Sequence, residues 1–272
     1  VNVFRGSAHL RAAPPCALTI GNFDGVHRGH HALLEALTAG ARARDLASCV
    51  MTFEPHPKEF FTPAEAPPRI LNLRDKLTAF ADIGINRVVI ERFNAAYAKL
   101  TPEQFVAEIL LRRLNTKWIL IGDDFCYGAK RAGDFASLKR AGEEFGFEVS
   151  NINTVLENQE RISSSALRNA LAEGDMPKAA LLLGRPYVIS GHVIYGRQLG
   201  RTLGFPTLNL AVANHLHERK PAMTGIFTVL VHGLGDTPLP GVASLGVRPT
   251  VEDAGRVLLE VHLFDFNAQV YG

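Results

Sequence analysis

The chain is short of cysteine. Its 272 residues include three, Cys16, Cys49 and Cys126, too widely spaced for a CxxC metal site or a disulfide framework. Such usage suits a reducing compartment, so a cytoplasmic location is expected. No apolar run has membrane-spanning length, and no charged start leads into an apolar core; neither a membrane partner nor a secretory leader is expected. An initiating Met is also missing, which points to a processed or trimmed start. Excess charge of one sign is absent too. A net charge of +2 gives no electrostatic reason for a nucleic-acid partner. Repeats and low-complexity tracts are not evident. What remains is a globular composition, 47% hydrophobic and 21% charged, in a chain long enough for one large domain or two ordinary ones.

Along residues 1–183, strand-like and helix-like segments alternate. Apolar runs at 17–20, 47–53, 87–91, 118–121 and 147–152 read as strands; helical spacing falls at 30–44, 74–82, 102–114 and 135–145. Thr101-Pro102-Glu103-Gln104 is a helix start with a capping Thr and Pro at the first helical position. Alternation of this kind predicts an α/β domain with a doubly wound parallel sheet and ligands at the carboxyl ends of its strands. Two short helices, 165–172 and 177–183, close this part. From Gly184 to Gly272 the character changes to β-branched residues and glycine, with strands at 187–194, 207–210, 225–231, 241–245 and 257–264. Short strands at close spacing predict a small antiparallel β-barrel as a second domain.

The most informative segment runs from Gly21 to His30, between the first strand and the first helix: Gly21-Asn22-Phe23-Asp24-Gly25-Val26-His27-Arg28-Gly29-His30. Glycines let backbone approach a ligand, and the free N–H groups of a first helical turn point at anions, with about 0.3–1 kcal/mol of help from the helix dipole. His27 and His30, three apart, lie on one face of that turn and can donate to phosphate oxygens. The plain alternative is a Gly-rich turn with two surface histidines.

This run carries the HxGH signature of the nucleotidyltransferase superfamily. Its longer form, GNFDGVHRGH, resembles the adenylyltransferase module of bacterial bifunctional riboflavin kinase/FAD synthetases. Three later segments fit that resemblance. Phe53-Glu54-Pro55-His56-Pro57 follows the second strand, where two prolines fix the backbone; the resemblance implies that Phe53, Pro55, His56 and Pro57 line the flavin-phosphate side. Gly122-Asp123-Asp124-Phe125-Cys126-Tyr127-Gly128 leaves the fourth strand, where acids can orient ribose hydroxyls or a phosphate-bound Mg²⁺. Family members commonly have Arg at the position of Cys126 and Phe at that of Tyr127; Lys130 and Arg131 can supply the missing charge. Arg161-Ile162-Ser163-Ser164-Ser165-Ala166-Leu167-Arg168 matches the family's R-I-S-S-[ST]-x-[IL]-R throughout. Its serines can cap a helix or hold phosphate, and Arg161 and Arg168 can bracket the anion. The resemblance implies that Ser164, Ser165 and Arg168 hold the ATP polyphosphate opposite His27 and His30, with FMN phosphate as nucleophile and FAD as product.

In the second half, Gly196-Arg197-Gln198-Leu199-Gly200-Arg201-Thr202-Leu203-Gly204-Phe205-Pro206-Thr207-Leu208-Asn209 is a glycine-studded basic loop running into a strand. Thr207 and Asn209 alternate onto one strand face and can offer hard oxygens to a nucleotide-bound Mg²⁺. Glu260, on a later alternating strand, can act as a base. Taken singly, a hairpin loop and an exposed strand face explain these segments as well. Together with Gly246-Val247-Arg248-Pro249-Thr250 and Glu260-Val261-His262-Leu263-Phe264-Asp265-Phe266, they resemble the flavokinase module. That resemblance implies that Gly196, Arg197, Gly200, Arg201, Gly204 and Pro206 bind ATP, that Thr207 and Asn209 bind Mg²⁺, and that Glu260 deprotonates the ribityl 5′-hydroxyl of riboflavin. Family members usually continue some tens of residues beyond the position of Phe266, so a barrel lacking its last elements is expected. Riboflavin, FMN and ATP are the expected partners, in a monomer or weak homo-oligomer. An enzyme retaining only the adenylyl step and a non-catalytic flavin binder are the alternatives.

Overall fold

The structure, a computed structural model, describes residues 1–8, 10, 13–153, 156–157, 160–195, 205–211, 221–247, 257–268 and 270–271. By compactness the chain divides into two units, Val1–Pro67 with Lys76–Ser163, and Pro68–Asp75 with Ser164–Gly272.

The first unit is built on six strands: β1 (Asn2–Arg5), β2 (Cys16–Ile20), β3 (Ala47–Glu54), β4 (Arg87–Arg92), β5 (Thr116–Gly122) and β6 (Glu148–Ile152). All neighbours pair in parallel, in the order β1-β4-β3-β2-β5-β6. The doubly wound parallel sheet expected from the sequence is therefore observed. Every residue of β2 is buried, as a central parallel strand covered on both faces requires. The edge strand β1 is a four-residue addition that no apolar run announced; Val3 within it is exposed.

Helix α1 (Arg28–Ala43) packs on β2, β3 and β5. Gly40 makes this approach possible: a Cβ there would stand 2.2 Å from the Cη2 of Trp118 on β5. Four further helices follow, α2 (Pro57–Phe61), α3 (Leu73–Asp82), α4 (Ala95–Ala98) and α5 (Pro102–Gln104), the last capped by Thr101 as its sequence predicts. Beyond α5 the chain continues as a π-helix from Phe105 to Arg113, where the spacing predicts an ordinary α-helix. The wider turn gathers the buried Phe105, Val106, Ile109 and Leu110 with Leu114, which 3.6-residue spacing would carry half a turn away from Phe105. Helix α6 (Phe135–Phe145) matches its predicted span.

The chain runs from β2 outward through β3 to β4, then returns to the other side of β2 for β5 and β6. The carboxyl ends of β2 and β5 thus form the switch point at which open α/β sheets bind ligands. The loop 21–27 and Gly122-Asp123-Asp124 leave from there.

In the second unit, after the two-residue pair β7 (Leu156–Glu157) and β8 (Glu160–Arg161) at the end of the first, come helices α7 (Ser164–Glu173) and α8 (Met176–Leu183). Segment 68–75 is laced to the chain that follows them. Tyr187 Oη donates to the Ile70 carbonyl (2.9 Å), Asn72 Nδ2 to the Ser190 carbonyl (3.0 Å), and Ser190 N to Asp75 Oδ2 (3.2 Å). These bonds explain why only β9 (Val193–Ile194) of the expected strand 187–194 forms, since Tyr187 and Ser190 bond outside any ladder. Strands β10 (Leu208–Ala211), β11 (Gly225–Val231), β12 (Leu239–Val247) and β13 (Val257–Leu263) complete a five-stranded antiparallel sheet, ordered β11-β12-β13-β10-β9. On β13 burial alternates residue by residue: Leu259, Val261 and Leu263 face the core, while Leu258, Glu260 and His262 lie on the more open face.

Candidate active sites

At the switch point of the first unit, the loop after β2 is tightly wound. Gly21 N donates to the Met51 carbonyl (3.1 Å), and the backbone then takes positive φ at Phe23 (49°), Gly25 (91°) and Val26 (40°). A β-branched residue in that region is a genuine outlier, held here because Phe23 and Val26 are both buried. The Asn22 carbonyl accepts from Lys76 Nζ (2.8 Å) and Thr52 Oγ1 (3.3 Å). Lys76 is a site residue that sequence reasoning missed; a lysine within an amphipathic helix reads as a solvated face, yet this one is almost wholly buried.

His27 is the N-cap of α1, and its Nδ1 accepts from the His30 N–H at 3.3 Å. The helix thus begins two residues earlier than its apolar spacing suggests. Because Nδ1 is an acceptor, the ring proton of a neutral His27 resides on Nε2. The two imidazoles stack with centroids 3.7 Å apart and planes 14° from parallel, and Phe23 meets His30 edge-on at 5.2 Å. Gly29 permits this: a Cβ there would crowd the His27 ring at 3.2 Å and the Ile162 carbonyl at 3.4 Å. Burial pushes the His27 pKa down to about 4, although the nearby Asp24 carboxylate pulls it partly back. His30 is held well below the ordinary imidazole range, first by burial and then by the charges of His27 and Lys76. At neutral pH both rings are therefore uncharged. Among the described residues, His30 Nδ1 and Asn22 Oδ1 are buried without a hydrogen-bond partner, two polar atoms left for a ligand to satisfy.

Arg161 and Asp124 pair with each other at 2.8 Å, both more than half exposed, and Asp123 accepts from Asn151 Nδ2 at 2.9 Å. A solvated pair of this kind is worth about 0–1 kcal/mol, which leaves either partner cheap to redirect. Tyr127 is a core residue, packed on Phe105 and Phe125 with its hydroxyl against Ser137. Lys130 and Arg131 lie exposed in a short turn. Ser163 ends the first unit. Ser164 and Ser165 open α7 in the second, where Arg168 Nε donates to the Pro68 carbonyl at 2.9 Å.

The Phe53–Pro57 segment does more than leave the strand. His56 caps α2 through Nδ1, with Glu59 returning the bond to its backbone N–H at 3.0 Å, and Pro57 takes the first helical position, where its missing N–H costs nothing. Phe53 meets Phe93 and Tyr97 edge-on, each at 5.7 Å, while Phe60 and Phe61 reach Phe93. These four aromatics were missed. The Phe60-Phe61 pair so close to the proline segment was the available signal.

In the second unit, register brings Asn209 of β10 directly opposite Glu260 of β13, and Glu260 opposite Ser244 of β12. Ser244 is a further polar neighbour that the motifs did not flag. Asn209 is buried; its Nδ2 donates to the Thr207 carbonyl (3.4 Å), and its Oδ1 has no partner among the described residues. Pro206 and Thr207 precede β10, and the Pro206 carbonyl lies 2.9 Å from His262 Nδ1. Gly196, Arg197, Gly200, Arg201 and Gly204 lie outside the described residues, as do Arg248, Pro249 and Thr250.

A doubly wound sheet with a histidine-capped helix at its switch point, followed by an antiparallel sheet that pairs an amide with a carboxylate, defines a nucleotide-dependent transferase of two modules. Residues 10–166 match the FAD synthetase family and residues 183–272 the riboflavin kinase family. The bifunctional riboflavin kinase/FMN adenylyltransferase of Escherichia coli K12 is 46% identical over 274 residues, covering 100% of this chain and 86% of that protein. The Pseudomonas fluorescens protein of the same description is 45% identical over 100% of this chain and 86% of its own length; that of Haemophilus influenzae is 42% identical over 96% and 83%. A crystal structure described as a macrolide-efflux protein from Streptococcus pneumoniae superposes with a TM-score of 0.82, at 28% identity, covering 99% of this chain and 86% of that one. Efflux is that protein's description; among the described residues here, no helix is long and apolar enough to cross a membrane. The chain belongs to the family of bifunctional riboflavin kinases/FMN adenylyltransferases.

Proposed function

We propose that the chain makes FMN and then FAD in two steps, one per module, with 184–272 as the kinase domain and 1–183 as the adenylyltransferase domain. In the first step the riboflavin 5′-hydroxyl attacks the γ-phosphorus of ATP, its proton passes to Glu260, and ADP leaves. In the second, an oxygen of the FMN phosphate attacks the α-phosphorus of another ATP in line, and pyrophosphate leaves. No proton needs to be abstracted and no enzyme nucleophile is required, so positioning and charge stabilisation carry this step.

The observation that carries the adenylyl assignment is the stacked His27–His30 pair at the N-terminus of α1. Its rings are neutral, and a bound triphosphate favours their protonated forms, so the site gains positive charge as the leaving group gains negative charge. Gly21, Asn22, Phe23 and Asp24 form the backbone cradle. Arg161, Ser163, Ser164, Ser165, Arg168 and Asp124 are assigned to ATP, and Phe53, Pro55, His56 and Pro57 to the flavin. The aromatic group around Phe53 supports the flavin assignment, because an isoalloxazine packs favourably on such rings.

For the kinase module, the orphaned Asn209 Oδ1 is a hard oxygen of the type Mg²⁺ selects, and Thr207 brings a second one to the same strand face. Thr207 and Asn209 would hold the ion, which when bound supplies charge neutralisation at the phosphates. Gly196, Arg197, Gly200, Arg201, Gly204 and Pro206 are assigned to ATP. A cytoplasmic location and a monomer or weak homo-oligomer complete the proposal.

Purified protein given riboflavin, ATP and Mg²⁺ should yield FMN and then FAD by chromatography. Given FMN instead, the His27→Ala variant should make little FAD; undiminished synthesis would remove the assignment of the histidine pair.

A further inference from the structure

We infer that His262 is a positioning residue for the kinase step, clamping the peptide that presents Thr207. This rests on the assignment of Thr207 and Asn209 to the nucleotide-bound metal. His262 lies two residues beyond Glu260 on the same face of β13. The β10–β13 register, Leu208 opposite Val261 and Asn209 opposite Glu260, places His262 opposite Thr207 when carried one residue further. At that point the backbone ladder stops: β10 begins at Leu208, and Pro206 has no N–H to continue it. The side chain takes over. His262 Nδ1 lies 2.9 Å from the Pro206 carbonyl, and against a carbonyl oxygen this nitrogen must carry the proton and donate.

That carbonyl belongs to the same peptide plane as the Thr207 N–H. The next plane, through the Thr207 carbonyl, is held at 3.4 Å by Asn209 Nδ2. Both planes flanking the Thr207 Cα are therefore tied by side chains, one from each of two facing strands. With φ and ψ of Thr207 constrained from both sides, its hydroxyl shares a defined geometry with Asn209 and Glu260. The imidazole is itself oriented, with the Phe205 ring edge-on at 5.5 Å and the Phe264 ring at 6.1 Å. A bare packing role would need the shape of the ring alone; this role needs the Nδ1 donor.

The test compares His262→Leu, which removes the donor, with His262→Asn, whose amide nitrogen can stand where Nδ1 stood. In the full chain, His262→Leu should raise the Mg²⁺ concentration for half-maximal riboflavin phosphorylation about two- to tenfold, the size of one net hydrogen bond, with a smaller change in kcat. Calorimetric titration with Mg²⁺·ADP should show the same weakening at the kinase-module site, identified as the site lost in Asn209→Ala. His262→Asn should recover most of both effects, and FAD synthesis from FMN should stay at the parental rate in all three variants as a check on folding. Parental Mg²⁺ dependence in His262→Leu, or an equal loss in His262→Asn, would overturn the inference. Undiminished Mg²⁺·ADP binding in Asn209→Ala would instead remove the ligand assignment on which it rests, and the inference with it.

Discussion

The two candidate sites are built on opposite principles. In the first module the stacked His27–His30 pair and the loop before it come from one stretch of chain, residues 21–30, where a buried strand ends, the backbone is forced through left-handed conformations, and a helix begins. Its histidines are desolvated and neutral before any substrate arrives. In the second module the amide–carboxylate pair comes from facing strands. Asn209 and Glu260 are far apart in sequence and meet only because two antiparallel strands pair in one register. A site of the first kind is preorganised by local backbone and burial. One of the second kind depends on register, where a slip of one residue would turn every side chain to the other face.

Substitutions that silence one site and spare the other sharpen this contrast. Glu260→Gln should have the largest effect, lowering riboflavin phosphorylation about 10²–10⁴-fold by removing the proton acceptor while FAD synthesis from FMN persists. His30→Ala should do the reverse, slowing FAD synthesis about 10²–10³-fold with phosphorylation intact, as product chromatography from each flavin would show. If either variant impairs both reactions equally, the sites are not independent.

The desolvated imidazoles also imply a pH signature confined to the first module. The His27 pKa is about 4 in the folded protein against an ordinary 6.5, so between these values the unfolded chain binds the extra proton. Stability is fully present above pH 6.5 and is lost as pH falls toward 4, by on the order of 3 kcal/mol from this group. His30 acts in the same direction. Denaturant melts of His27→Gln should show a shallower decline over that range; an unchanged slope would refute the buried, neutral ring. The smallest expected effect is that of Gly40→Ala, which puts a methyl into the Trp118 indole. A loss of about 1–3 kcal/mol in the same melts, with both activities retained in the folded protein, would separate packing beneath α1 from chemistry at its start.

Much of this was legible beforehand because the signals were local. The buried run before Gly21, the helix caps at Thr101 and the alternation on β13 each reflect a period of one element, and each appears where expected. Other features were not legible. Lys76 reads as a surface lysine until α3 lays it against the Asn22 carbonyl. His56 was expected only beside the flavin phosphate, yet α2 forms behind it and uses its Nδ1 as a cap. Tyr187 reads as a strand residue, yet its hydroxyl reaches Ile70, more than a hundred positions earlier.

The amino-acid order alone determined the alternation of strands and helices, the change of character near Gly184 and the chemistry of the two motif sets, because hydrophobic period, glycine placement and side-chain functional groups are properties of short segments. The tertiary structure alone decided which groups meet and in what state. Burial of His27 and His30 sets their neutrality, since desolvation shifts a pKa only once other elements exclude water. Register alone places Asn209 across from Glu260, because pairing between distant strands is a property of the sheet and of neither strand by itself.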